Sequence, residues 1–346
     1  MSNFTVLVFP VRIEPHPNAD SIELAVIGEY RSVVQRGRFK DGDLAAYIPE
    51  GSVLPPSLIE EMNLVDRLAG SAKNRVKAIR LRGVLSQGLC YPARDGWVGG
   101  QDVTEVLGLT KYEPVPPTSL SATIYTDPNG VSYFPERTLA YDVENYKRWP
   151  SVLIDGEWVI ITEKLHGTFV GYSLHNGKFG IFTKGLGSKG FLLDQDTNKS
   201  NVYIDIARQY QIEKAMREVL TSESSTFVLG EIYGTGIQDL KYGTISPQFR
   251  VFDVRVGKYF MGPNFLRACC KSMGLEMVPL LYEGPYSLDT VMKLRDGSDS
   301  LSGTNVREGV VVRSTSERID ASIGRVQLKF VSDHYLCRRG KTTEYN

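Results

Sequence analysis

Glu163-Lys164-Leu165-His166-Gly167-Thr168, set directly behind the apolar run 158–162, is the stretch on which the reading of this chain turns. The apolar run predicts a strand, Lys164 stands at its end, and Gly167 lets the backbone turn and come close to a phosphate. Taken alone, Lys-x-x-Gly is a common pattern that Lys184-Gly-Leu-Gly187 repeats, and a strand ending in a turn would explain it. Chemistry supplies a sharper reading. A lysine amine attacks only when unprotonated, and at the reference pKa about one molecule in two thousand qualifies at neutral pH. Burial, a second cation or a metal ion favours the neutral form, and lowering the pKa by about three takes on the order of 4 kcal/mol. A nucleophilic lysine therefore predicts basic and metal-binding partners elsewhere. The chain offers Glu308 at the head of Glu308-Gly-Val-Val-Val-Arg313 and Lys329 within Val326-Gln-Leu-Lys-Phe330. An acidic residue at a strand end can hold a divalent ion on phosphates, and the lysine can neutralise an α-phosphate.

On either side of this stretch the chain is patterned differently. Short apolar segments at 5–9, 22–27, 44–48, 76–81 and 88–91, separated by Gly, Pro and Asn turns, predict a small β-barrel or sandwich, with a helix near 57–68. Between about Tyr112 and Tyr141, Glu113-Pro-Val-Pro-Pro117 and Asp127-Pro-Asn-Gly130 are turn and linker chemistry. The expected division is residues 1–112, a linker 113–140, and a second domain 141–346. In the second domain, 158–162 and 169–174 read as strands flanking a tight turn, and 227–233, 249–254, 310–313 and 326–331 as further strands. A long helix is predicted over 201–220, capped by Ser200, with shorter ones at 264–273 and 287–294. This is an α+β pattern without regular βαβ alternation, which disfavours a doubly wound nucleotide fold.

The composition, 42% apolar and 23% charged, is that of a folded globular protein. Forty basic residues balance forty acidic ones, so a nucleic-acid contact must rest on a local basic surface. Cys90, Cys269, Cys270 and Cys337 show no C-x-x-C spacing and pair with no histidine at zinc-ligand spacing, so they read as reduced and structural. No signal peptide or membrane-length apolar run occurs, and a cytoplasmic protein with no membrane contact is expected. Gly185-Leu-Gly-Ser-Lys-Gly190 matches a dinucleotide fingerprint, but the polar run behind it predicts no helix to complete that motif. No Walker A sequence is present.

The segments Glu163-Lys-Leu-His-Gly-Thr168, Gly230-Glu-Ile-Tyr-Gly-Thr-Gly236, Phe249-Arg-Val-Phe-Asp253, Glu308-Gly-Val-Val-Val-Arg313 and Val326-Gln-Leu-Lys-Phe330 follow the order of motifs I, III, IIIa, IV and V of the covalent nucleotidyltransferases. Within that superfamily the chain resembles ATP-dependent RNA ligases. In the amino-terminal half, His16-Pro-Asn-Ala-Asp20, the segment Gly42 to Pro55 and Lys77-Ala-Ile-Arg-Leu-Arg-Gly83 resemble the OB-fold-like module of one RNA ligase family. The resemblance implies an OB-like β-barrel followed by an ATP-grasp-like nucleotidyltransferase domain of antiparallel sheets with flanking helices. It implies that Lys164 forms a lysyl–AMP bond with ATP, that Glu231 contacts the ribose and Phe252 stacks on adenine, and that Glu308 serves a magnesium or manganese ion. Lys329 would contact the α-phosphate, His166 would serve sealing, and Glu163, Gly167 and Lys184 would complete the nucleotide site. The plainer alternatives are core packing for Phe252 and His166 and surface charge for Glu231 and Glu308.

Two places depart from the family pattern. Lys184 stands where motif Ia often has arginine, and Val331 stands where several relatives carry a second motif V lysine. The implied substrates are RNA ends, within a nicked duplex or otherwise, and no motif calls for an obligatory protein partner. Because motif V lies near the last residue, a trailing OB domain of the kind DNA ligases and capping enzymes carry has no room, which favours RNA ligase. The competing readings are a non-catalytic RNA-binding protein with an inactive nucleotidyltransferase domain and a GTP-dependent capping-type enzyme.

Overall fold

The computed structural model describes residues 4–112, 122–186, 189–198, 201–221 and 224–338. The proline-rich run from Glu113 to Pro117, the expected cap Ser200 and the middle of the glycine fingerprint at Gly187 and Ser188 lie outside them. The described chain forms two compact units. One gathers residues 4–112 with 145–150 and 333–338, and the other gathers 122–144 with 151–332. Among the described residues no helix is long and apolar enough to cross a membrane.

The smaller unit is built from short antiparallel strands. Val8–Pro10, Leu44–Ile48 and Leu89–Pro92 make one sheet in that order, and Arg12–Pro15, Ile22–Ile27 and Tyr30–Gln35 make a second. Ile27 faces Tyr30 across a two-residue turn whose Gly28 has φ +54, the left-handed first place that a tight hairpin of this hand requires. Val6, Val8, Ala46, Ile48 and Leu54 pack with Leu58 and Leu107 into one buried cluster. The helix expected near 57–68 is only Pro56–Glu61, because Asn63 and Asp66 adopt left-handed backbone and end the spiral. Cys90 is a buried free thiol, pushed up to about 12 by desolvation, which suits packing and not chemistry.

The larger unit holds two main antiparallel sheets and a small two-stranded one, Ile319–Asp320 against Gly324–Arg325. The first runs Gln327–Val331, Gly309–Ser314, Trp158–Lys164, Leu280–Pro285, and the second runs Lys189–Leu192, Lys178–Leu186, Gly167–His175, Thr226–Tyr233, Gln248–Val256, Tyr259–Phe260. The strands on either side of Leu165 and His166 therefore do not form the expected tight hairpin; they belong to different sheets, and the motif is the crossing between them. Three helices, Val202–Gln209, Ile212–Val219 and Pro263–Met273, cover one face of the second sheet through Val170, Tyr172, Val228, Ile232 and Val254. The single helix expected over 201–220 is broken at Gln211, whose φ of +50 ends the first spiral before the second begins. Asn201 caps the first helix by accepting from the Tyr203 amide.

On the opposite face of the second sheet, Phe182, Phe227 and Leu229 form a separate cluster with Tyr141, Phe169 and Phe252. The pairing of Thr226–Tyr233 with Gln248–Val256 slips between Leu229 and Gly230. Val251 and Val254 both enter the helix-covered core, so this bulge leaves the consecutive residues Phe252 and Asp253 on the other side. Asp253 is fully buried there and binds Arg313 of the first sheet at 3.2 Å, Arg325, and the Tyr141 hydroxyl at 2.9 Å.

Candidate active site

Lys164 ends its strand opposite Gly309, and one row back Thr162 faces Val311, which in turn faces Lys329. Opposed residues share a face and alternate residues return to it, so Lys164 and Lys329 project from the same side of the first sheet. The Lys164 ammonium donates to Glu308 Oε1 at 3.1 Å; the lysine side chain is 21% exposed and the glutamate 1%. Gly309 lets the two strands close on each other: a Cβ there would lie 2.2 Å from the Phe330 carbonyl oxygen.

Glu163 goes the other way. Its Oε2 accepts from the Ser300 amide at 2.8 Å and lies 3.6 Å from Arg307 Nε, and burial raises its pKa against the lowering effect of those partners. The structure thus separates Glu163 from Lys164 and ties it to the loop after Asp299.

His166, fully buried, bridges the sheets. Its amide donates to the Tyr242 hydroxyl at 2.7 Å, and its Nε2 lies 2.7 Å from Asp239 Oδ1, so the proton belongs on Nε2 because the carboxylate can only accept. Nδ1 then looks toward Glu308 Oε2 at 4.0 Å. Burial and the nearby Glu308 charge raise the Tyr242 pKa, keeping that hydroxyl neutral. Asp239 and Tyr242 went unnoticed in the sequence because they sit in a loop between two motifs, where no periodicity marks a residue as inward-facing.

Gly167 pairs with Tyr233, and a Cβ on it would meet the Ile232 carbonyl oxygen at 2.2 Å and Glu231 Cγ at 2.9 Å. The glycine is what brings motif I against motif III. Glu231 faces Phe169 across the strands, on the side of the sheet that carries Phe252. Phe252 is half-buried, its ring 5.1 Å from Tyr141 and 6.0 Å from Phe169, so it packs against the aromatic cluster while part of its ring remains accessible.

Lys184 is 56% exposed and its ammonium lies 3.3 Å from Asp142 Oδ1. Burial pushes the Asp142 carboxyl up, but Lys184 and Lys329 together hold it below its ordinary value. Asp142, another residue missed by the sequence reading, thus joins the motif Ia lysine to the motif V lysine.

Among the described residues no three His, Cys, Asp or Glu side chains cluster to hold a metal ion. One buried carboxylate, Glu308, stands beside Lys164 at 3.1 Å and His166 at 4.0 Å. That donor set suits a magnesium-like ion shared with substrate phosphates, which takes one or two protein carboxylates and fills its remaining places with phosphate oxygens and water.

Comparison with known proteins bears on the fold and the family. An OB-fold domain profile matches residues 9–93. Over 96% of this chain and 98% of theirs, the fold is similar to that of Naegleria gruberi RNA ligase in a lysine-to-alanine variant with ATP and Mn (TM-score 0.80, 23% identity) and in a form with PPi (TM-score 0.79, 23% identity). A glutamate-to-alanine variant of the same ligase with AMP and Mn gives a TM-score of 0.80 at 23% identity over the same shares. No curated protein sequence matches. The RNA ligase family profile covers residues 157–331, more than half of the chain and every one of the motifs described above, and the chain belongs to the RNA ligase family.

Proposed function

We propose that this protein is an ATP-dependent RNA ligase that carries AMP on Lys164 and joins the 3′-hydroxyl of one RNA end to the 5′-phosphate of another. The observation that carries the reading is the Lys164–Glu308 pair on the face that also presents Lys329: the buried carboxylate holds the strand-end amine as its ammonium at rest, and a divalent ion on Glu308, together with the Lys329 charge, would favour the neutral, attacking form. The Naegleria ligase whose fold this chain shares was captured with ATP and Mn and with AMP and Mn.

In the first step Lys164, its ammonium proton first released to solvent, attacks the α-phosphorus as the neutral amine; a P–N bond forms, the bond from the α-phosphorus to the bridging oxygen breaks, pyrophosphate leaves, and the nitrogen sheds a second proton. Lys329 faces the phosphate oxygens and offsets the charge that builds on them. Glu231 and Phe252 present a carboxylate and an aromatic face to ribose and adenine. AMP then passes to the 5′-phosphate of RNA, forming a new anhydride as the P–N bond breaks. The 3′-hydroxyl oxygen finally attacks that 5′-phosphate and AMP leaves. Dividing one hard displacement in this way is the logic of covalent catalysis. Glu308 would hold a divalent ion, which supplies charge neutralisation at the phosphates. His166, fixed by Asp239 and Tyr242 and with Nδ1 4.0 Å from Glu308, would serve the later steps.

Incubation with α-labelled ATP and magnesium or manganese tests this reading. Label is expected on the protein and absent from Lys164→Ala; labelled GTP is expected to give none. An unlabelled wild-type chain would refute it.

A further inference from the structure

Residues 77–86, Lys-Ala-Ile-Arg-Leu-Arg-Gly-Val-Leu-Ser, hold three basic side chains, no acidic one and no aromatic one. They fold as a two-stranded ribbon that forms its own sheet, Ile79–Leu81 against Val84–Ser86, closed by the two-residue turn Arg82-Gly83. Both turn residues have positive φ, +47 and +88. That turn suits a hairpin, but its first place normally falls to Asn, Asp or Gly, so an arginine there is strained.

The strain is held by a dedicated support. Asn18 Nδ2 donates to the Arg82 carbonyl at 2.9 Å, and His16 Nε2 lies 3.3 Å from the Leu81 carbonyl. The His16-Pro-Asn18 turn therefore acts as a buttress for the ribbon tip. Along the same ribbon Ile79, 49% exposed, and Leu81, 36% exposed, share one face, Arg82 is exposed at the tip, and Arg80, exposed on the other face, donates to the Gly83 carbonyl at 3.2 Å. An exposed apolar pair set among cations, at a strained and buttressed tip, fits a polyanion that also offers apolar edges.

We propose that this ribbon is a clamp for duplex RNA, with Lys77, Arg80 and Arg82 on phosphates and Ile79 and Leu81 against the riboses of the shallow groove. The choice of RNA rests on the ligase reading; the choice of duplex rests on the ribbon itself. Single strands are gripped by aromatic platforms, and this ribbon has none, whereas an A-form duplex is read by shape through its wide minor groove and flanking phosphates.

The test uses the full chain without ATP and a labelled nicked RNA duplex, with the unpaired strand as comparison, titrated at several salt concentrations. Arg82→Gly is expected to weaken duplex binding roughly threefold and to lower the salt slope by about one, and Arg80→Ala with Arg82→Gly by about two. Arg82→Gly is also expected to melt at the wild-type temperature or above, since glycine relieves the turn. Duplex binding equal to wild type, an equal loss on single strands, or a lowered melting temperature would each overturn the clamp. Because this binding test omits ATP, it is independent of the chemistry: a wild-type chain that grips duplex here yet takes no label in the separate incubation with α-labelled ATP would sink the ligase reading alone.

Discussion

Lys164 and Glu308 lie 144 residues apart in sequence and meet at 3.1 Å, which makes their pair the most economical place to perturb the site. Glu308→Gln keeps the shape but removes the charge, and self-adenylylation in the presence of magnesium is expected to fall by two orders of magnitude or more, in the range seen when a charge-stabilising group is lost. Gly167→Ala tests the close approach of motifs I and III. With the Ile232 carbonyl oxygen 2.2 Å from the added carbon, the strands must part, and displacing a reacting group by about 1 Å costs on the order of a hundredfold in rate. Tyr242→Phe removes only a hydroxyl that accepts from the His166 amide; a stability loss of about 1–3 kcal/mol in a denaturant melt is expected for a buried partner lost. Legibility in the sequence divided along the same lines. Glu231 and Glu308 stood out because each begins or interrupts an apolar strand, where a charge is costly without a partner, and Lys164 and Lys329 because they fall within the ordered motifs. Tyr242, Asp239 and Asp142 were not, since loop residues carry no periodic signal that says which way they face.

Strands proved more legible than helices, for a physical reason. Apolar runs such as Ile22–Ile27 and Leu44–Ile48 have the bounds expected of them, because burial on both faces leaves little else for the segment to be. The break at Gln211 between the two helices carries no Gly or Pro to announce it. The bulge that places Phe252 and Asp253 on one face is likewise invisible to a period-two reading, which would have sent them to opposite faces. The loop 299–305 shows the opposite kind of order, polar and local. Asp299 accepts from the amides of Leu301, Ser302 and Asn305. Burial raises its pKa, yet these bonds outweigh burial and hold it below the ordinary aspartate value. A carboxyl lowered on folding stabilises the native state above its unfolded pKa and loses that contribution as pH falls through the folded one. Asp299→Asn is therefore expected to cost on the order of 1 kcal/mol at neutral pH, and the gap from wild type to close below about pH 4. Thermal melts across that range check it.

The described chain forms two compact units and does not simply pass from one to the other: residues 145–150 and 333–338 group with the amino-terminal strands. No local pattern could have announced that, since it depends on contacts between distant segments. Within the larger unit, the two sheets are tied by Asp253, Arg313, Arg325 and Tyr141, with Glu317 on the far side of the arginines. Removing one member leaves its partners buried and uncompensated, so Asp253→Ala is expected to destabilise this unit by about 3–5 kcal/mol, measured from its denaturant midpoint. The neutral net charge leaves the molecule without a long-range attraction for RNA, so the chemistry must be read at the amine itself. Peptide mapping by mass spectrometry after incubation of the full chain with ATP and magnesium locates any bound nucleotide. One AMP on the peptide containing Lys164, joined through the lysine nitrogen, is the expected result; AMP on another residue, or none on a chain that still seals RNA, would contradict it.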